Sequence, residues 1–143
     1  MKTRRAKLVD SLHARGIVLD AGALRAIERH DLALTVALAT AHELGLPIRI
    51  PAVALAQVWR GGPRSAPLAR LLKQPATVVG VDERTARQIG EFIATVRLPD
   101  GVRPDVGDAH VALTTRATQS LVFTSDPKDM ARFGVDPRRI RKT

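Results

Sequence analysis

The chain of 143 residues has no cysteine and no tyrosine, and only one tryptophan and three phenylalanines. Without cysteine there is neither a disulfide framework nor a thiolate metal site. With so few aromatics, base stacking has little to work with, and any bound nucleic acid would be held mainly through its phosphates. Long apolar runs are missing as well: none approaches the ~20 residues that cross a bilayer. The basic opening, Met1 to Lys7, leads into no continuous apolar stretch before Gly16, which argues against a secretory signal peptide. What is present is an aliphatic core composition of Leu, Val, Ile and Ala. Hydrophobic residues make up 45% of the chain, a share expected of a folded globular protein. The length suits one domain, and a cytoplasmic protein is the simplest expectation.

Charge is the strongest compositional signal. Twenty-three Lys and Arg against fourteen Asp and Glu leave a net charge of +9. The excess sits in three blocks: residues 1–15, residues 57–73 with Arg60, Arg64, Arg70 and Lys73, and residues 128–143. Clustered cations of this kind attract a polyanion through counterion release, which points to RNA or DNA.

Hydrophobic patterning predicts alternating strands and helices. Gly16-Ile-Val-Leu-Asp20 reads as a buried strand, followed by a helix over 21–30 and a second helix, capped by Asp31, to about Glu43. Gly45 and Pro47 stop it before a short strand at Ile48–Ile50. Helices follow over 52–60 and 66–73, then a strand at Thr77–Val81 and an amphipathic helix over 82–96. A proline- and glycine-containing loop over 98–104 precedes a helix from Asp105 or Val106 to about Arg116. A strand at Ser120–Thr124, a short helix over 127–133 and a final strand near Ile140 complete the order. The expected architecture is α/β: three layers, α/β/α, around a mainly parallel sheet of four to five strands. Residues 1–15 form a basic N-terminal extension to a domain over 16–143.

In an open parallel sheet, ligands gather beyond the carboxyl ends of the strands, and the acids fall there. Asp20 ends the first strand, Asp126 follows the strand Leu121–Thr124, and Asp108 opens a helix with Asp105 one turn before it. Residues i and i+3 are helix neighbours. Carboxylates brought together repel one another until a hard divalent cation, Mg²⁺ or Mn²⁺, relieves them. Such a site suits phosphodiester hydrolysis. Helix capping accounts for any one of these aspartates alone; their joint occurrence is what points to chemistry.

The segments Ile17-Val-Leu-Asp-Ala-Gly-Ala-Leu24, Asp105-Val-Gly-Asp-Ala-His-Val-Ala-Leu113 and Leu121-Val-Phe-Thr-Ser-Asp126 resemble, in that order, the three acidic motifs of VapC-type PIN-domain toxins. Pro51 to Gly61 resembles the segment between them. The resemblance covers most of the chain from Gly16 to about Phe133. It implies that Asp20 and Asp108 are the main metal ligands, with Asp126 a further acid of the site. It also implies RNA cleavage with Mg²⁺ or Mn²⁺, a homodimer, and inhibition by a small antitoxin protein that occupies the cleft. One position departs: where the family usually has Glu in the middle helix, this chain has Gln57. Glu28 or Asp105 is the replacement to look for. The runner-up reading is a decayed PIN-like module that binds RNA or an antitoxin without cutting.

Other residues carry less. His110, two positions after Asp108, reads as a surface or core histidine, and His13, His30 and His42 show no ligand spacing. Trp59 reads as core or interface. Arg25 and Arg29 flank Glu28 and are placed either to touch phosphate or to pair with nearby acids. The apolar helices over 31–44 and 52–72 offer a dimer surface and a groove for a partner helix.

Overall fold

The computed structural model describes residues 14–73 and 76–143. The basic extension over residues 1–15 lies outside these except for its last two positions. Five parallel strands form one sheet in the order β3-β2-β1-β4-β5. They are β1 (Ile17–Leu19), β2 (Ile48–Pro51), β3 (Ala76–Val79), β4 (Leu121–Thr124) and β5 (Ile140–Lys142). Among the described residues, seven α-helices flank the sheet: α1 (Ala21–Glu28), α2 (Leu32–Glu43), α3 (Ala52–Val58), α4 (Ala66–Lys73), α5 (Glu83–Thr95), α6 (Val106–Thr118) and α7 (Pro127–Arg132). The expected α/β class, three layers and strand number are all present.

Aspartates start most of these helices, for one local reason. Asp20, Asp31, Asp82, Asp105 and Asp126 each stand just before a helix and accept a backbone N–H three residues on. That bond satisfies a donor the helix itself leaves unpaired. The ends of three helices differ from expectation by two residues: α1 stops at Glu28 rather than at residue 30, where His30 takes a positive φ of 57°. α3 stops at Val58, short of Arg60, because Trp59 turns extended ahead of Gly61 and Gly62, both at positive φ. α6 runs on to Thr118 and ends where Gln119 adopts a left-handed conformation, φ 51°.

β1 and β4 are the central strands, and every residue of both is buried. They pair in register, Ile17 with Leu121 through Leu19 with Phe123. β3 forms one edge and is half-exposed along its length. α1 packs with α2, α3 and α4, while α6 packs with α5 and α7, so the helices divide into two groups around the sheet. α3 touches both α1 and α6. From β1 the chain moves outward to β2, whereas from β4 it moves the opposite way to β5. The gap between these diverging connections is the topological switch point, where open parallel sheets hold their ligands. No helix among the described residues is long and apolar enough to cross a membrane.

Candidate active site

A cavity of about 430 Å³ opens beyond the carboxyl ends of β1 and β4. Its walls carry Asp20, Asp105, Asp108, Asp126 and Asp129, with Gln57, Arg25 and Arg60 beside them. Four of the five acids expected from sequence are therefore brought to one place, and Glu28 is not. Its carboxylate, 6% exposed, sits 3.4 Å from the Arg64 guanidinium, away from the cavity lining.

Each carboxylate is positioned by the backbone near it. The Asp20 N–H bonds to Phe123 C=O at 3.2 Å, carrying the β1–β4 pairing one residue past the strand end. Asp20 then caps α1, accepting from Ala23 N–H at 2.8 Å, and is 5% exposed. The Thr124 hydroxyl donates to Asp20 and accepts the N–H of Asp126 at 2.9 Å, so one side chain orients both acids. Asp105 caps α6 by accepting from Asp108 N–H at 2.8 Å, and Asp108 stands in the first turn. Asp126 caps α7, accepting from Asp129 N–H at 3.2 Å. For Asp20, Asp105 and Asp126 capping and clustering are thus the same fact: three helix starts converge on the cleft, each bringing its capping carboxylate.

The close approach of α1 to the β4–α7 turn depends on Gly22. A Cβ there would lie 2.6 Å from Ser125 Cβ and 3.0 Å from Ser125 N. Neither atom is a flexible tip, so only glycine fits.

Electrostatics sets this cavity apart from ordinary capped helix ends. Burial pushes the Asp108 carboxyl up to about 7, and the charges of Asp105, Asp129, Asp20 and Asp126 push the same way. Burial also raises Asp20, outweighing the Thr124 hydroxyl, two backbone N–H groups and the Arg25 charge. Asp129 is raised by burial and by Asp126, against the pull of Arg132 at 3.0 Å. Like charges crowded out of water favour protonation or a bound cation.

Gln57 reaches this site from the C-terminal end of α3 and donates to Asp105 at 3.4 Å. Asp129 was not expected at the site, and Arg60 was expected only as one of the cations of the block over residues 57–73. Asp126-x-x-Asp129 repeats the spacing of Asp105-x-x-Asp108, which is the signal that could have found the first. Arg60 gives no such signal; its guanidinium is held by the carbonyls of Ala56, Gln57 and Trp59. Trp59 is 39% exposed and so not part of the core. His110 is a core residue, 1% exposed, with both ring nitrogens unpartnered and its basicity lowered by burial.

The donors offered to a metal are carboxylate oxygens, the type hard divalent cations prefer. Among the described residues no three acidic or histidine side chains form a ready-made cage. Mg²⁺ does not require one, since it keeps several waters and is commonly held by one or two carboxylates plus substrate phosphate. Compared with known proteins, the chain matches no family model and no curated sequence.

Proposed function

We propose that this chain is a metal-dependent endoribonuclease of the PIN-domain type, the toxin of a toxin–antitoxin pair, using Mg²⁺ or Mn²⁺. The observation that carries the reading is the state of Asp108, held near pH 7 by burial and by four neighbouring carboxylates in an open cleft at the switch point. Structural aspartates on a surface have no need of such crowding, and perturbed acids cluster at functional sites.

In this reading Asp20 and Asp108 hold the cation and Asp126 completes the acidic face. When bound, the cation offsets the carboxylate charge and polarises the scissile phosphate and the attacking water. Thr124 keeps Asp20 and Asp126 at fixed orientation. Asp105 sets the start of α6, and so the position of Asp108. Arg25 and Arg60, the two cations of the cavity wall, orient the phosphate. A net charge of +9 draws the RNA in.

Two partners belong to the same proposal. A small antitoxin would fill the cleft, and a second copy of the chain would cover the α2 surface, where Leu32 is 76% exposed. Light scattering after size exclusion tests the second; a monomer at working concentration overturns it.

The nuclease is tested by incubating total RNA with the purified chain and Mg²⁺ or Mn²⁺, beside EDTA and the Asp108→Asn variant. Cutting that needs both metal and Asp108 is the expected outcome. RNA binding without cutting, across both metals, overturns it in favour of a decayed binding module with Gln57 as its cause.

A further inference from the structure

On the far side of α7 from the acidic cavity lies a second hollow, of about 330 Å³, walled by Pro127, Lys128, Ala131, Pro137, Ile140 and Lys142. The two hollows share α7: Asp126 and Asp129 face one, Lys128 and Ala131 the other. Lys142 pairs in register with Thr124, the residue that orients Asp20 and Asp126. Both lysines therefore stand at the active end of the sheet, and both are exposed.

The charges around them are not alike. Arg132 is paired with Asp129 at 3.0 Å and Arg138 with Asp136 at 2.9 Å. Lys128 and Lys142 have no ion-pair partner among the described residues. Two unneutralised ammonium groups thus flank one shallow hollow with proline at two points of its wall, next to a cleft of five carboxylates.

We infer that Lys128 and Lys142 form a phosphate subsite for the RNA strand one helix-width beyond the cleavage point, an inference that rests on the nuclease reading above. A strand leaving the acidic cavity and crossing α7, roughly 10 Å across with its side chains, meets these two cations. No aromatic residue lines the hollow, so the contact is with backbone phosphate and independent of base. RNA suits the pair of hollows better than an acidic peptide does. Every nucleotide carries a phosphate, so a strand seated in the cleft presents charge to the two lysines whatever its sequence.

The test is fluorescence anisotropy of a labelled 15-nucleotide single-stranded RNA across a KCl series, with Mg²⁺ present. The Asp108→Asn chain is used so that the probe is not cut. Lys128→Ala with Lys142→Ala is compared with Arg84→Ala with Arg97→Ala, which removes the same charge from exposed positions outside the three basic blocks. Each phosphate contact to a single strand adds about 0.7 to the slope of log affinity against log salt. The lysine pair should lower that slope by about 1.4, and the arginine pair should leave it unchanged. Equal effects of the two pairs, or none from the lysines, overturn the subsite while RNA binding and the nuclease reading remain. No RNA binding by any of the proteins overturns both. Polyglutamate binding that depends on the lysines, with RNA binding that does not, assigns the hollow to a protein partner and overturns the proposal. In the uninhibited enzyme the lysine pair should raise KM for the 15-mer and keep kcat, a split that a merely structural role would not produce.

Discussion

The side-chain amide of Gln57 donates to the carboxylate of Asp105 at 3.4 Å, across 48 residues of sequence. This neutral side chain is thereby directed at an acid, where a Glu would repel it. Gln57→Glu should destabilise the metal-free protein and tighten Mn²⁺ binding roughly tenfold, the scale on which changes around a metal's ligands act. Titration calorimetry and thermal melts with EDTA would check the two effects. Unchanged affinity with an unchanged melting temperature would place Gln57 outside the electrostatics of the site.

Asp108 makes the metal-free fold sensitive to alkali. Its folded value, about 7, lies above the ordinary 3.8, so the folded state binds the extra proton between these limits. The stability this contributes is fully present below pH 3.8 and is lost as pH rises through 7. Asp108→Asn removes the loss, and should be the more stable protein at pH 8 by about 1–2 kcal/mol after allowing for solvent at a half-buried group. Urea unfolding in EDTA at pH 5 and pH 8 would show it; an advantage that does not grow with pH would count against the crowded carboxyl.

Divalent cation should counter the same repulsion. Ions bind the ionised form, so Mn²⁺ competes with the Asp108 proton and raises the melting temperature more at pH 8 than at pH 6. At one hundred times its dissociation constant an ion adds about 2.7 kcal/mol. EDTA reverses the shift, and Asp20→Asn abolishes it. A thermal shift equal at both pH values would separate metal binding from Asp108.

Gly22→Ala should cost about 1–3 kcal/mol, the range for an overpacked site, because its Cβ would meet Ser125 Cβ at 2.6 Å. Cleavage should fall further than stability, since the same shift moves Asp126 relative to Asp20. Ser125→Gly in the same chain should restore part of both. No rescue would mean that the strain is taken up elsewhere.

His110 acts on the acid side. Burial lowers its basicity, so the unfolded chain takes up a proton below about pH 6.5 that the folded chain resists. Stability therefore drops as pH falls from 6.5 toward the depressed folded value. His110→Leu should flatten the fall between pH 6.5 and 5, seen as melting temperatures that converge with those at pH 7. Equal acid sensitivity in the variant would point to another group.

Local rules were enough to read much of this chain from its residues alone. Short apolar runs marked β1, β2 and β4, and Asp31, Asp82 and Asp105 marked where helices begin, because an aspartate before an apolar helical pattern satisfies free backbone donors wherever the helix goes. Alternation of strand and helix set the α/β class, and Asp20, Asp105, Asp108 and Asp126 could be named from their places at strand and helix ends. Tertiary structure decided what spacing could not. It turned Glu28 to Arg64, brought Gln57 to Asp105, and added Asp129 and Arg60 to the cavity wall. It also determined that four carboxylates press on Asp108. Burial and repulsion depend on separations through space, and these exist only once β1 and β4 lie side by side and the helices beyond them converge.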